Sequence, residues 1–304
     1  MSDMSPSTIE QPLPASTRNA HVIMGSQSFI SILTRAIAGE LYKIRRRKMS
    51  KVLGTIAVMT VILASIFISY FPTSKPSLQN AFFTSITVTN FIGTLLLIIL
   101  AGTIVGGDYS HGCIRILLSR GPSRLQFLLA KLGAMLICVF IMLIALLTIG
   151  IVTWLLINLL EAHTIALNAL TGTQILHTLL YVLTTALSLF TYCVLAISIS
   201  NWGKATAAGV TSVLIWWFLE GGFITLFSLV GSKFNNAFGS FLQAIPDYLI
   251  GNNLSTLRAN QEGYLTGQLH VSLSDLHAGV VVLVYLIVFF GITWWMLRAR
   301  DITN

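Results

Sequence analysis

Long runs of apolar residues alternate with short polar stretches along most of the chain. Six runs are long enough to cross a bilayer as helices, which needs about 20 residues. They cover residues 52–71, 82–106, 133–160, 175–199, 207–230 and 278–297. They are too long and too evenly apolar to be barrel strands, and backbone groups in lipid must be hydrogen-bonded within the segment. The pattern therefore predicts an all-α membrane protein with six transmembrane helices.

Composition supports this interpretation, because 55% of the residues are hydrophobic and only 9% are charged. A soluble fold of this size could not bury so much apolar surface. Residues 1–26 are rich in Ser, Thr, Pro and Gln and lack the pattern of a signal peptide. We therefore expect a disordered tail over 1–26 and the transmembrane domain over 27–304.

Basic residues are distributed very unevenly between the two sides of the predicted bundle. Only Lys75, Lys233 and Arg258 fall on one side, so 15 of the 18 Lys and Arg residues share the other. The positive-inside rule makes the basic side cytoplasmic. Both termini are then expected in the cytoplasm, and the segment 231–277 forms the sizeable extracytoplasmic loop.

A helical repeat of apolar residues precedes the first span. The repeat consists of Phe29, Ile32, Leu33, Ala36, Ile37, Leu41 and Ile44. The charged residues of the same stretch are Glu40, Lys43, Arg45 and Arg46. This pattern predicts an amphipathic helix in the cytoplasmic interface, followed by a basic run at the lipid headgroups. That run could instead serve only to set the topology.

The segment between the second and third spans carries helix start and stop signals. Asp108 or Ser110 can cap the start of a short helix, and Gly121-Pro122 can end it. Its apolar face would consist of Ile114, Leu117 and Leu118. A short amphipathic helix is therefore predicted here, with Arg115 and Arg120 free to face a partner.

A second helix start follows at once. Ser123 and Gln126 have the spacing of a capping box, which would open the third span.

In the extracytoplasmic segment, residues 238–250 are moderately apolar but too few to span a bilayer as a helix. They suit an interfacial or re-entrant segment, and a polar piece follows through Gly267.

Motifs for catalysis or metal binding are missing from the sequence. Gly203-Lys204 is followed by Ala205, so it does not complete a P-loop. The histidines and cysteines do not have metal-ligand spacing, and no nucleophile elbow is present. We expect no enzyme activity, no bound metal or cofactor, and no nucleic-acid partner.

Glu220 is the one acidic residue inside a predicted span. A carboxylate in hydrocarbon is costly, so the side chain should face water or the protein interior. It could line a translocation pathway, or it could be a hydrogen-bonded packing residue.

The segment Gly106–Lys131 resembles the cytoplasmic segment of ABC-2-type permeases. In that family an acidic residue, Gly-Thr, a basic residue, Leu-Leu, Pro-x-Ser-Arg and a Lys follow one another in this order. The matching residues are Asp108, Gly112, Arg115, Ser123, Arg124 and Lys131. Cys113 replaces the usual Thr, and Gly121-Pro122 shifts the turn. The helix before the first span, the six-span layout and the long loop before the last span also resemble the family.

The resemblance implies a permease subunit of an ATP-driven exporter in a cell membrane, such as a bacterial plasma membrane. Two permease copies, a homodimer in the simplest case, would form the pathway, and separate ATPase subunits would bind ATP and Mg²⁺. The residues implied in coupling to the ATPase are Asp108, Gly112, Arg115, Leu117, Leu118, Arg120 and Arg124. Membrane lipids would contact the spans and the interfacial helix.

Two other functions remain open. A membrane scaffold or sensor of related fold would share the layout without transporting anything. A secondary transporter would show inverted repeats and several ionisable groups at depth, whereas this chain has one carboxylate and no evident repeat.

Overall fold

The computed structural model describes residues 29–70, 78–110, 123–160, 172–268 and 273–299. These residues are almost entirely helical and include no strand. The helices are α1 (Phe29–Arg46), α2 (Lys48–Tyr70), α3 (Leu78–Ser110), α4 (Arg124–Leu160), α5 (Gly172–Gly203), α6 (Thr206–Gly231), α7 (Ala237–Ala244), a 3₁₀ turn (Ile245–Tyr248), α8 (Ile250–Thr266) and α9 (Asp275–Ala299). The predicted tail, 1–26, lies outside the described residues.

Six of these helices are long and apolar enough to cross a membrane, namely α2, α3, α4, α5, α6 and α9. The prediction of an all-α protein with six candidate membrane helices is confirmed. Several helices extend past the apolar runs; α4, for example, begins at Arg124 although its apolar run begins near residue 133. Backbone hydrogen bonding continues through the polar ends, which hydropathy alone cannot locate.

The core lies along α3 and α5, which pack against each other and are the most buried of the six. Ile98 and Ala101 of α3 and Leu189 and Cys193 of α5 are fully buried. The helices α2, α6 and α9 lie at the periphery, bury few of their residues and leave many large apolar side chains exposed. In a membrane protein such a surface faces lipid or another subunit.

Small residues let α3, α5 and α6 approach closely at one end of the bundle. A Cβ on Gly106 would overlap the backbone of Thr206, and one on Gly209 would overlap the Ser200 hydroxyl. This is how small residues act in packed membrane helices generally. We call this end, which also carries α1, the basic end, and the opposite end the α8 end.

Between residues 231 and 277, the described residues contain more regular structure than the predicted loop. Most of these residues form α7, the 3₁₀ turn and α8, and α8 packs against α5 and α9. The polar residues Asn253, Asn260 and Gln261 are buried. Their amide groups donate to the Asp247 and Leu249 carbonyls and to the Asp275 carboxylate. The sequence analysis did not predict α8, because the buried face of this helix is partly polar and therefore shows no apolar periodicity.

Candidate coupling site at the basic end

A buried lysine is at the centre of the basic end. Lys131, on the third turn of α4, is 1% exposed. Its ammonium group donates a hydrogen bond to the Asp108 carboxylate near the end of α3. It also donates to the Ile104 carbonyl at 3.3 Å and lies 4.7 Å from the centre of the Phe127 ring. The positive charge is therefore held by a carboxylate, a carbonyl and an aromatic face.

The same ammonium connects to α1. Glu40 is 7% exposed, and its Oε1 lies 3.6 Å from the Lys131 Nζ atom. The Glu40 carboxylate also accepts a hydrogen bond from Lys43 at 2.8 Å. Beside it, Ile37, Leu41 and Ile44 pack against the core, so α1 is fixed to the bundle by an apolar face and a buried carboxylate. Sequence periodicity predicted that apolar face; the depth of Glu40 was not foreseen.

Arg47 joins the network from the short break between α1 and α2. Its Nη1 atom donates to the Thr103 carbonyl at 2.9 Å, and its Nη2 atom lies 3.9 Å from Asp108. Asp108 therefore sits between two cations. We call Glu40, Arg47, Asp108 and Lys131 the Lys131 network. It links α1, the start of α2, the end of α3 and the start of α4.

The expected role of Asp108 as the cap of a separate short helix is wrong. The helix α3 continues through Ser110, so Asp108 lies in its last turns. Its side chain is only 8% exposed and is engaged with Lys131. The pairing outweighs the unfavourable position of an anion near a helix C-terminus, because a buried cation must be neutralised. Asp108 can thus position the following segment but has little surface to offer a partner.

Arg124 also has a partner that the sequence did not reveal. It lies at the first residue of α4, where its charge opposes the helix dipole. Its Nη1 atom donates to the carbonyls of Leu297 and Arg298, both at 2.7 Å. These carbonyls belong to the last turn of α9, where a cation is favourable. Arg124 therefore ties the start of α4 to the end of α9.

The predicted capping box is confirmed. The Ser123 backbone N–H donates to Gln126 Oε1 at 2.9 Å, and the Gln126 N–H donates to Ser123 Oγ at 3.3 Å. This reciprocal pair fixes where α4 begins and hence where the chain emerges from the preceding segment.

The other predicted site residues fall into two groups. Arg45 and Arg46 lie at the exposed end of α1, with the Arg46 guanidinium 5.3 Å from the centre of the Tyr42 ring. Gly112, Arg115, Leu117, Leu118 and Arg120 lie outside the described residues, in the segment 111–122. The structure thus brings together Glu40, Lys43 and Asp108 around Lys131, a residue that the family pattern marked but that we did not assign to the site.

Glu220 occupies a separate place, on α6 near the α8 end. It is 3% exposed. Its Oε1 atom accepts a hydrogen bond from the Gly251 N–H at 2.5 Å, and the Asn252 N–H also interacts with the carboxylate. These amides lie in the first turn of α8, whose N-cap, Leu249, has no capping side chain. Glu220 therefore caps α8 from another helix, which offsets part of the cost of burying it.

Comparison with known proteins assigns the architecture to a family. Residues 36–220 match the model of the ABC-2 family transporter protein, which is more than half of the chain. The matched range contains the whole Lys131 network and ends at Glu220. No curated protein matches the sequence. This chain belongs to the ABC-2 transporter family and is a multi-pass membrane component of ABC-type transport.

Proposed function

We propose that the chain is the permease subunit of an exporter driven by a separate ATPase subunit. The family in general works with an ABC ATPase, and the sequence of this chain contains no complete P-loop. The single observation that favours coupling here is the Lys131 network. It holds both ends of the segment 111–122, through Asp108 before it and Lys131 after it.

The segment itself is the proposed docking element. Its apolar residues Ile114, Leu117 and Leu118 need a covering protein surface, and Arg115 can pair with an acidic group of the ATPase. A movement of this segment would act directly on α3 and α4, which it connects. It reaches α1 through Glu40 and α9 through Arg124. A rigid connection of this kind can move several spans together when the ATPase changes state.

Coupling is tested by co-expressing the chain with an ABC ATPase, for which an ATPase gene found next to its own would be the first choice. We expect Arg115→Glu to weaken copurification and abolish export while the chain still inserts in the membrane. Leu118→Asp should act in the same way. Normal association and export in both variants would rule out this segment as the coupling element and favour a scaffold or sensor that does not need it.

The orientation is proposed from charge, with the basic end and both termini in the cytoplasm. Two exposed residues report on it, Trp202 at the basic end, which is 67% exposed, and Tyr264 on α8, which is 47% exposed. A membrane-impermeant maleimide applied to intact cells should label a cysteine at 264 and leave one at 202 unlabelled. The reverse pattern would invert the topology.

A second permease copy is proposed to complete the pathway. The helix α6 leaves large apolar side chains exposed along its length, including Ile215, Phe218 and Leu226. A second copy or membrane lipid would cover them. In-membrane crosslinking of a cysteine at Phe218 with itself tests the homodimer, and the absence of a crosslink from every exposed α6 position would argue against contact through this helix.

A further inference from the structure

A pocket lies between α3, α5, α6 and α8, next to Glu220. Its volume is about 320 Å³, which is near the lower limit for small-molecule sites. One wall is aromatic, because Phe91 and Trp217 pack with ring centres 5.1 Å apart. The rest is mostly polar and includes Asn90, Glu220 and Arg258. The pocket is therefore large enough for a headgroup-sized polar ligand.

Two buried acceptor atoms in this lining have no hydrogen-bond partner among the described residues. They are the Glu220 Oε2 and the Asn90 Oδ1 atoms. The Trp216 indole, one turn earlier on α6, also interacts with the carboxylate. A buried acceptor without a donor costs about 1 to 3 kcal/mol, more when it is charged. A ligand that brings N–H donors to these two oxygens would recover that cost.

A glycine lets the Glu220 carboxylate lie directly against the start of α8. A Cβ on Gly251 would lie 2.9 Å from the Tyr192 hydroxyl and would overlap the Glu220 carboxylate. Gly251 also supplies the N–H that Glu220 Oε1 accepts. Oε1 is thus held by the Gly251 N–H, while Oε2 lies beside Gly251 without a hydrogen-bond partner among the described residues.

Arg258 supplies a cation in the same lining. Its Nε atom makes one long hydrogen bond, 3.4 Å, to the Leu254 carbonyl. No carboxylate of the described residues lies within 4 Å of its guanidinium. Burial lowers the pKa of Arg258, and nearby Tyr181, Tyr192 and Glu262 act in the opposite direction. A desolvated guanidinium in this position favours an anionic group.

We propose that this pocket binds a zwitterionic ligand that carries a primary ammonium group beside an anionic group. The ammonium donates to Glu220 and Asn90, and the anionic group meets Arg258. A quaternary ammonium has no N–H to donate and leaves both oxygens unsatisfied. A phosphoethanolamine headgroup, free or on a lipid, has the required chemistry, whereas a phosphocholine headgroup does not.

The test compares two short-chain lipids with the purified full chain in detergent. Dihexanoyl phosphatidylethanolamine and dihexanoyl phosphatidylcholine differ only in the ammonium, and Trp217 in the pocket wall provides a fluorescence signal. We expect the ethanolamine lipid to bind at least about tenfold more tightly, the worth of a charge-assisted hydrogen bond. Free phosphoethanolamine should bind more weakly than the lipid, with the same dependence on Glu220. Equal affinity for the two lipids overturns the proposal.

Variants locate the binding. Glu220→Gln keeps an acceptor for the Gly251 N–H but removes the charge, and should weaken ethanolamine-lipid binding about tenfold. Asp247→Asn removes a charge from the neighbouring 3₁₀ turn, outside the pocket lining, and should bind as wild type. If Glu220→Gln does not fold, Asn90→Ala provides the second variant, with an expected loss of about threefold or more. Unchanged binding in the folded variant, or an equal loss in Asp247→Asn, also overturns the proposal.

The site deepens the proposed function in one respect, because it would lie on the pathway of a permease. Binding is measured without the ATPase or ATP. If the chain binds the ethanolamine lipid but does not support export, the export proposal fails and the pocket proposal stands. If it supports export but does not bind the lipid, the pocket proposal fails and the export proposal stands.

Discussion

Replacing Lys131 by methionine should destabilise the chain strongly, because it removes the cation that neutralises a buried carboxylate. Lys131 is 1% exposed, and the side chain of its partner Asp108 is 8% exposed. Removing one member of a buried ion pair typically costs 3 to 5 kcal/mol. Arg47 lies 3.9 Å from Asp108 and can compensate in part, which places the expected loss at about 3 kcal/mol.

If the loss comes from the unpaired Asp108 carboxylate, then Asp108→Asn should restore most of the stability that Lys131→Met removes. In Asp108→Asn combined with Lys131→Met, no buried charge is left at this pair, and the loss should fall to about 1 kcal/mol. The free energy of unfolding can be measured by SDS titration of the full chain in mixed micelles. The two single variants and the double variant together form a double-mutant cycle, which isolates the coupling between the two side chains.

Lys43→Met is the matched control. It makes the same chemical change in a lysine whose side chain is 40% exposed and whose partner, Glu40, lies one turn away on α1. Such a pair contributes at most about 0.5 kcal/mol. A loss below about 1 kcal/mol for Lys131→Met, or a double variant no more stable than the single, would refute the buried-pair explanation.

Three further predictions follow from the packing of the spans and of α8. Gly106→Ala should cost about 1 to 3 kcal/mol because its Cβ meets the Thr206 backbone, whereas Gly54→Ala, with open space around it, should be neutral or slightly stabilising in the same titration. Asp275→Ala removes the carboxylate that accepts from Asn260 at 2.6 Å and from Gln261 at 3.0 Å, so α8 amides should exchange hydrogen faster while α3 amides do not. Arg124→Gln should raise exchange in the last turn of α9, where it frees the Leu297 and Arg298 carbonyls; unchanged exchange there would show that the link contributes nothing.

The six membrane helices could be predicted from their long apolar runs, and the apolar face of α1 from its helical periodicity. The spacing of Ile37, Leu41 and Ile44 is enough to place them on one side of a helix. The capping box of Ser123 and Gln126 lies within four consecutive residues, so it can be recognised from the local sequence. Hydropathy and short-range capping are local signals.

The partners of the charged residues could not be predicted, because they are distant in sequence. Arg124 meets Leu297 across 173 positions, and Glu220 meets Gly251 across 31. The sequence indicated that the Glu220 side chain faces water or the protein interior. It did not indicate that Glu220 caps α8, because α8 has no apolar stripe and was itself not predicted. The same applies to Lys131, whose burial depends on how α1, α3 and α4 converge.

The central claim is that ATP at a separate subunit changes the arrangement of these spans. The most direct measurement places a cysteine at Phe91, which is 48% exposed on α3 in the pocket wall, in a chain whose native cysteines have been replaced. The chain is purified with its ABC ATPase, and the rate of maleimide alkylation is compared with no nucleotide and with ATP plus vanadate. We predict different rates in the two states, and no difference when Arg115→Glu is present. Equal rates in a complex that contains the bound ATPase would contradict an ATP-driven permease.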